Sequence, residues 1–227
     1  MQYHIQTTPI WDSFKSDCDC PICALYKTTE QRLVKQYLGE AVMEPDYRVR
    51  VNKRGFCDRH LLALYNGDNK LGTALQVCTR TEYVEQSIQN ITKAKQASGL
   101  AEDLAETLNT CVICDTADEI MYRYTYTVAQ MYDNEPEFPE LFSASKGFCM
   151  PHFVDLLRHV KMAGKSADKY LAALIAVQKR SLNRTVSDLE KFTQKFDYRN
   201  AGSISDKYDN ALPKAIKKLK GDILTDK

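Results

Sequence analysis

Two spacings of cysteine and histidine, each present twice, constrain this chain more than any other feature. A Cys-x-x-Cys pair at Cys20 and Cys23 recurs 91 positions later, at Cys111 and Cys114. A Gly-Phe-Cys-x-x-His segment follows each pair, after 33 intervening residues to its cysteine in the first copy and 34 in the second. This recurrence predicts a tandem duplication, and therefore two similar units related by pseudo-two-fold symmetry.

The repeated residues are ligands of the kind that bind zinc. Zinc takes thiolates and imidazoles in tetrahedral sets of four, and structural zinc sites fill all four positions with protein atoms. A gap of two residues lets both side chains of a pair reach one ion from a tight turn. The pattern therefore predicts two sites of three cysteines and one histidine each. Taken copy by copy, the sets are Cys20, Cys23, Cys57 and His60, and Cys111, Cys114, Cys149 and His152.

The grouping of these eight ligands stays open at the level of sequence. Each copy can complete its own site, or Cys20 and Cys23 can meet Cys149 and His152 across the two copies, as in swapped duplicates. Both groupings use the same eight residues. The ligand residues are therefore predicted independently of how they are shared between the sites.

The apolar pattern is that of helices throughout. After each Cys-x-x-Cys pair, apolar residues recur at helical spacing, and no alternating stretch is long enough to predict a strand. The predicted helices cover 23–43, 57–65, 71–97, 113–132, 149–162 and 167–196. We therefore predict an all-α fold of two tandem, pseudo-symmetric helical repeats, each built around a metal site, plus a short C-terminal helix.

Local composition suggests where these repeats begin and end. Ser98-Gly99 is the best candidate for a linker, and the polar segment after Asp197, which contains glycine and serine, predicts a loop. The chain then divides into a first metal-binding repeat over 1–98, a second over 99–198, and a C-terminal loop with a short helix over 199–227.

Composition and charge restrict the possible environments and partners. The chain is 44% hydrophobic with a formal net charge of +1, so it can form a core and has no overall attraction to nucleic acid. The basic segment 214–220 is too short to predict more than a solvated helix face. Neither a signal peptide nor the roughly 18 consecutive apolar residues of a membrane helix is evident. We expect a cytoplasmic protein without a membrane partner, whose clustered cysteines serve metal or redox chemistry rather than disulfides.

Other interpretations of the cysteines are weaker than zinc. A disulfide oxidoreductase needs a thioredoxin-like βαβ frame, and no strand pattern surrounds either pair. Buried free cysteines with two capping histidines do not explain the matched spacing. An iron–sulfur cluster remains an alternative, although one histidine among four ligands is unusual for it. We expect two zinc ions per chain, with the iron–sulfur cluster as the alternative.

Two further cysteines fall outside the duplicated pattern. Cys18 has Asn109 at its equivalent position, so the duplicated site does not need it. We expect Cys18 to be an exposed spare thiol, with ligand exchange or a redox role as the alternative. Cys78 follows Val77 on a long predicted helix, and we expect it to be a small core residue.

These motifs resemble an uncharacterised bacterial family of unknown function that is DUF6062-like. The resemblance runs from about residue 18 to 220 and departs at Val112, where the proline of the first Cys-x-x-Cys pair is absent. It implies metal sites and a helical fold, and it implies no reaction. The motifs that carry it are Cys20-Pro-Ile-Cys23, Gly55-Phe-Cys-Asp-Arg-His60, Cys111-Val-Ile-Cys114, Gly147-Phe-Cys-Met-Pro-His152 and Lys195-Phe-Asp-Tyr-Arg199.

A closed site of four protein ligands argues against metal catalysis, because it leaves no coordination position for substrate or water. No nucleotide, protease or hydrolase motif is present either. The leading hypothesis is a non-enzymatic interaction or scaffold module whose partner is another protein. Two alternatives stay open: an iron–sulfur or thiol redox protein, and a metal sensor or carrier in which Cys18 is the exchange ligand.

Overall fold

The structure is a computed structural model that describes residues 3, 5–89, 91–197, 199 and 205–221. Helices account for its regular structure, and the described residues contain no strand, so the predicted all-α fold is confirmed. The helices in this part of the chain are α1 (Thr8–Lys15), α2 (Pro21–Leu38), α3 (Pro45–Arg54), α4 (Asp58–Asn66), α5 (Lys70–Gln89), α6 (Ala97–Leu108), α7 (Val112–Asn134), α8 (Phe138–Ala144), α9 (Met150–Arg158), α10 (Ala167–Gln194) and α11 (Ala211–Lys220).

The predicted helices that follow the cysteine motifs are all present. Helices α2 and α7 begin at the Cys-x-x-Cys pairs, and α4 and α9 begin directly after the third cysteine of each copy. Three predicted helices end earlier than expected: α2 at Leu38 rather than 43, α9 at Arg158 rather than 162, and α5 at Gln89 rather than 97. Ser98-Gly99 consequently lies in the first turn of α6 rather than in a linker. Glycine costs about 1 kcal/mol relative to alanine in a helix. The alanines and leucines that follow it in α6 outweigh that cost.

Two helices that the sequence did not predict have a proline in their first turn. Pro45 was expected only to end the preceding helix, yet it is the first residue of α3. Pro139 occupies the first turn of α8 in the same way. Proline is favoured there because its missing N–H would have no partner within the helix. Pro45 therefore both ends one helical segment and starts the next, whereas α7 has already ended at Asn134 when Pro139 is reached.

The short C-terminal helix is present as α11, with Ala211, Ala215 and Lys218 on its buried face. The predicted loop before it includes Tyr198 and residues 200–204, which lie outside the described residues. A single turn of 3-10 helix at Asp206–Tyr208 precedes α11.

The described residues fall into two compact units. One, which we call the N/C unit, combines the described residues up to Lys27 with those from Met121 onward. The other, the middle unit, is Thr28–Ile120. The division falls within helices α2 and α7, so these units have limits that differ from the sequence repeats.

Aromatic side chains form the core of the N/C unit. Phe138, Phe142, Phe148 and Tyr170 are fully buried. The Phe142 ring lies 5.5 Å from that of Phe148 and 5.3 Å from that of Tyr170, and Phe14 contacts the same group. Edge-on and tilted contacts at these separations are favourable for aromatic rings. This core fixes α8 and the loop after it against α10.

The middle unit is built around Tyr37 at the end of α2. Tyr37 is 1% exposed, and its ring makes edge-on contacts with Tyr47 at 5.5 Å and Phe56 at 5.7 Å. Val51 on α3 and Leu64 on α4 are fully buried in the same unit. Phe56 belongs to the first Gly-Phe-Cys segment, so this packing positions the loop that carries Cys57.

Helix α10 is amphipathic, with one buried face and one exposed face. Its buried residues Tyr170, Leu174, Val177 and Ser181 recur at helical spacing on one face, while Val186 on another face is exposed. Among the helices of the described residues, none is both long enough and apolar enough to cross a bilayer.

Candidate metal sites

The eight predicted ligands come together in two groups of four, and each group draws on both sequence copies. Cluster 1 consists of Cys20, Cys23, Cys149 and His152. Cluster 2 consists of Cys57, His60, Cys111 and Cys114. The open question of grouping is thereby answered in favour of the swapped arrangement. Each cluster takes one pair of residues from each sequence copy, so the expectation that each repeat is built around its own site is corrected. The four residues of a cluster lie in the same compact unit of the structure rather than in the same sequence copy.

Cluster 1 lies in the N/C unit. The Sγ atom of Cys23 is 3.5 Å from that of Cys149 and 3.3 Å from Nδ1 of His152. Nδ1 of His152 is also 3.1 Å from Sγ of Cys149 and 3.7 Å from Sγ of Cys20. Cys20 and Cys149 are 6% and 2% exposed, whereas Cys23 and His152 are only partly buried.

Cluster 2 lies in the middle unit and repeats this geometry. Nδ1 of His60 is 3.3 Å from Sγ of Cys57, 3.2 Å from that of Cys111 and 3.4 Å from that of Cys114. The Sγ atoms of Cys57 and Cys114 are 3.8 Å apart. His60 is 1% exposed and Cys111 is 3% exposed.

All four ligand pairs occupy the same local structure, a helix N-terminus. In each pair, the carbonyl of the leading cysteine accepts the first backbone hydrogen bond of the helix, from Ala24, Leu61, Asp115 or Phe153. The second ligand lies three residues on, in the first turn, so both side chains point to the same side. The positive end of the helix dipole also favours the thiolate form that a metal requires.

The glycines of the Gly-Phe-Cys segments turn the chain into these helices. Gly55 and Gly147 have φ angles of 62° and 102°, a region that other residues rarely adopt. An arginine holds the helix that precedes each glycine: Arg80 bonds the carbonyl of Asn52, and Arg180 donates to the carbonyl of Ser143 at 2.7 Å. These arginines recur 100 positions apart in the sequence, and their recurrence is the signal for this shared role.

We expect Gly147→Ala to destabilise the protein. A Cβ atom at this position would overlap the Ser181 side chain, and the positive φ adds backbone strain. Together these effects should cost about 1–3 kcal/mol or more in the free energy of unfolding. Denaturant titration of the metal-loaded protein measures it.

The matched control is Gly99→Ala, because a Cβ atom there meets nothing within 4 Å in helix α6. This variant should be neutral or up to about 1 kcal/mol more stable. Equal stabilities for the two alanine variants would contradict the role given to Gly147.

The distances in both clusters fit one tetrahedral ion. With metal–sulfur bonds of about 2.3 Å and metal–nitrogen bonds of about 2.0 Å, tetrahedral ligands place sulfurs about 3.8 Å apart and sulfur and nitrogen about 3.5 Å apart. The observed separations are 3.5 and 3.8 Å between sulfurs and 3.1–3.7 Å between sulfur and nitrogen. The four ligand atoms of each cluster all lie within 4.8 Å of one another. Each cluster can therefore hold a metal ion.

The thiols of each cluster influence one another strongly. Hydrogen bonds from the Cys114 thiol and from the His60 ring lower the pKa of Cys111 to about 3. Hydrogen bonds from Cys20 and Cys23 lower the pKa of Cys149 to about 3 as well. The pKa values of Cys23 and Cys114 are raised, first by their hydrogen bonds to Cys149 and Cys111. Several thiolates this close repel one another, and a bound cation removes that repulsion.

Glu30 contacts the histidine of cluster 2, although sequence analysis did not single it out. Its Oε1 atom lies 2.9 Å from Nε2 of His60, the ring nitrogen that faces away from the cysteines. A second ion pair of 2.9 Å joins Glu30 to Arg59. This carboxylate fixes the histidine ring with Nδ1 toward the thiols, as carboxylates do beside metal-binding histidines. The equivalent position of the second copy is Met121, so no repeated signal identified Glu30.

We expect Glu30→Gln to weaken metal binding at cluster 2 and to leave cluster 1 unchanged. Loss of such an outer carboxylate typically lowers metal affinity by about 10–100-fold. Competition with a coloured chelator, in a background that lacks the cluster 1 ligands, measures cluster 2 alone. Cluster 1 affinity, measured in the reverse background, is the control. An equal loss at both clusters would contradict a local role for Glu30.

The two cysteines outside the clusters, Cys18 and Cys78, differ in their burial. Cys18 is partly buried, outside both clusters, and its thiol donates to the carbonyl of Ser13 at 3.6 Å. Cys78 is exposed, so the prediction that it is a core residue was wrong. The buried residues of its helix are Gly72, Thr73 and Gln76, which places Cys78 on a different face.

The chain is similar to a known protein family over nearly its whole length. A family model described as a family of unknown function, DUF6062, matches residues 1–226. The chain belongs to this family. The resemblance inferred from the cysteine motifs is thereby confirmed.

A curated relative extends this family assignment. It is an uncharacterised 23.9 kDa protein in the xynA 3′ region of Caldicellulosiruptor sp. (strain Rt8B.4). It is 26% identical over 192 residues, which cover 83% of this chain and 87% of the relative. No solved structure matches the chain.

Proposed function

We propose that the protein binds two structural zinc ions, one in each cluster. The observation that carries this proposal is the meeting of all eight predicted ligands in two sets of tetrahedral size. Two sets of three cysteines and one histidine have the donor chemistry of structural zinc. The duplicated motifs and the matching contacts of Arg80 and Arg180 support an origin by tandem duplication.

The close approach of the ligand atoms favours a single ion over an iron–sulfur cluster. In a cluster the cysteines bind different irons, so their sulfurs stand farther apart than around one ion. Here every ligand atom lies within 4.8 Å of the other three. Half of the eight ligand residues, two in each cluster, are buried, and this favours a permanent ion over one that exchanges with a carrier.

A structural role for the metals suggests a protein that works by binding rather than by catalysis. Four protein ligands occupy every position of a tetrahedral ion, so none remains for a substrate or an activated water. We infer a helical interaction or scaffold module whose partner is another protein. The metal ions would set the shape of the two units.

Elemental analysis of protein purified without added metal tests this proposal. Two zinc ions per chain and no visible absorption are expected. A brown sample with iron and sulfide would refute zinc and favour the iron–sulfur alternative. Protein that is folded and free of metal would refute both.

A further inference from the structure

The three cysteines of cluster 1 line a cavity of about 210 Å³ in the N/C unit. Cys18 lines the same cavity, so four thiol-bearing side chains meet there. Cys23 is partly exposed, whereas Cys20 and Cys149 are buried. One molecule of liquid water occupies about 30 Å³, so the cavity has room for a molecule of a few atoms beside the sulfurs. A small solute can therefore reach the sulfurs of cluster 1.

Cluster 2 has the same kinds of ligand but different surroundings. A second cavity, of about 370 Å³, lies in the middle unit, and none of the four ligands of cluster 2 lines it. The position equivalent to Cys18 is Asn109, so the second Cys-x-x-Cys pair is not preceded by a further thiol. The two clusters therefore differ in the access of small molecules to their sulfurs.

A buried lysine adds a positive charge beside cluster 1. Lys218 lines the cavity and is 6% exposed, although lysine is almost never fully buried without a partner. Its Nζ atom donates to the carbonyl oxygen of Asp19, the residue before Cys20, at 3.0 Å. A nearby ammonium group favours the thiolate, and cysteines that react with oxidants lie in positively charged, partly exposed surroundings. Cluster 1 has both of these properties.

We propose that cluster 1 is a site of oxidative modification, at which a small peroxide reacts with Cys23, a disulfide joins Cys23 to Cys149, and the bound ion is released. Cys23 is the most exposed of the three cysteine ligands, and its Sγ atom is 3.5 Å from that of Cys149. This inference rests on the proposed zinc binding, because ligation to the metal keeps the cysteines deprotonated. A permanent ion that leaves only on oxidation would couple the structure of the N/C unit to the redox state of its surroundings.

The reaction consumes one molecule of hydrogen peroxide for each disulfide. The Cys23 thiolate attacks one peroxide oxygen and the O–O bond breaks, which forms a sulfenic acid and releases hydroxide. The Cys149 thiolate then attacks the sulfenic sulfur, so that the S–S bond forms and a second hydroxide leaves. The two sulfurs lose two electrons and the peroxide gains them, and two protons from solvent convert both hydroxides to water. The ion keeps only Cys20 and His152, and two ligands hold zinc far more weakly than four.

Treatment of the full-length, zinc-loaded protein with a small excess of hydrogen peroxide tests the proposal. A coloured chelator follows the release of zinc, with a sample lacking peroxide as the background, and mass spectrometry of unreduced peptides maps the disulfide. One of the two ions should leave at least about tenfold faster than the other, because susceptibility to oxidation follows the exposure of the thiolate. The Cys23–Cys149 disulfide should appear together with it, and a thiol reductant with added zinc should restore both ions.

A matched pair of leucine variants tests the role of the cavity. Ala24→Leu places a larger side chain in the cavity, and it should slow the fast release by about threefold or more because the peroxide has less access. The control is Ala172→Leu, at an exposed position of α10 in the same unit and outside the cavity. The control should release zinc like the natural protein.

Release of both ions at the same rate would overturn the inference, and so would a fast disulfide between any other pair of cysteines. Equal rates in the two leucine variants would contradict entry through the cavity. Elemental analysis before the peroxide is added reports separately on the proposed function. Fewer than two zinc ions at that stage would count against the metal sites themselves, whereas two ions without selective release would count against the oxidation site alone.

Discussion

Removing all four ligands of cluster 1 is expected to leave one bound metal ion per chain, whereas removing the four ligands of the first sequence copy should leave none. The first variant replaces Cys20, Cys23 and Cys149 by serine and His152 by alanine, and it leaves cluster 2 complete. The second replaces the first-copy set, which takes half of the ligands from each cluster. Two protein ligands hold a zinc ion far more weakly than four. Metal content after dialysis against a mild chelator measures the difference.

Both variants change three cysteines and one histidine, so they are matched in chemistry and in number. If each sequence copy formed its own site, the two results would be exchanged. Cys78→Ser is a further control, because this exposed cysteine belongs to neither cluster, and it should retain both ions. Two ions retained in the first variant would show that cluster 1 is not a metal site.

Chelation of the metals should unfold most of the protein. Binding of a structural zinc ion contributes about 10–16 kcal/mol in small zinc domains at neutral pH. The whole folding free energy of a typical domain is about 5–15 kcal/mol. We therefore expect a strong chelator to abolish most of the helical circular dichroism and the cooperative thermal transition. The amount of chelator required should fall as the pH falls, because protons compete with the metal for the thiolates.

The control for this experiment is the same chelator saturated with zinc, which should leave the helical signal unchanged. Removing the chelator and adding zinc should restore the fold, while magnesium should not, because it prefers oxygen ligands. Full helicity and an unchanged thermal midpoint after complete removal of the metal would contradict a structural role.

The ligand pairs of each cluster, and the helix N-termini that carry them, can be predicted from the sequence. Cys20 and Cys23 are three residues apart, and so are Cys149 and His152, a separation that places both side chains on one side of a helix N-terminus. The glycine before Phe148 allows the backbone turn that leads into such a helix. Interactions over a few residues decide these features, so spacing alone was enough to predict the ligand residues and the helices that carry them.

The helix boundaries were less predictable, because one residue type can favour two outcomes. Pro45 ends a helix in one direction and begins α3 in the other. Gly99 suggested a linker but lies within α6, where its neighbours favour a helix. Local preferences of about 1 kcal/mol do not decide such cases against the packing of the surrounding chain.

The sequence by itself determined that this chain is helical and which eight side chains make up the two candidate metal clusters. Only the tertiary structure decided which pairs meet. Cys23 lies 126 residues from Cys149, and Cys57 lies 57 residues from Cys114. Identical pairs are interchangeable in their local chemistry, so the path of the chain between them determines the grouping. The role of Glu30 likewise depends on the tertiary structure, because its contact with His60 joins residues that are 30 positions apart in the sequence.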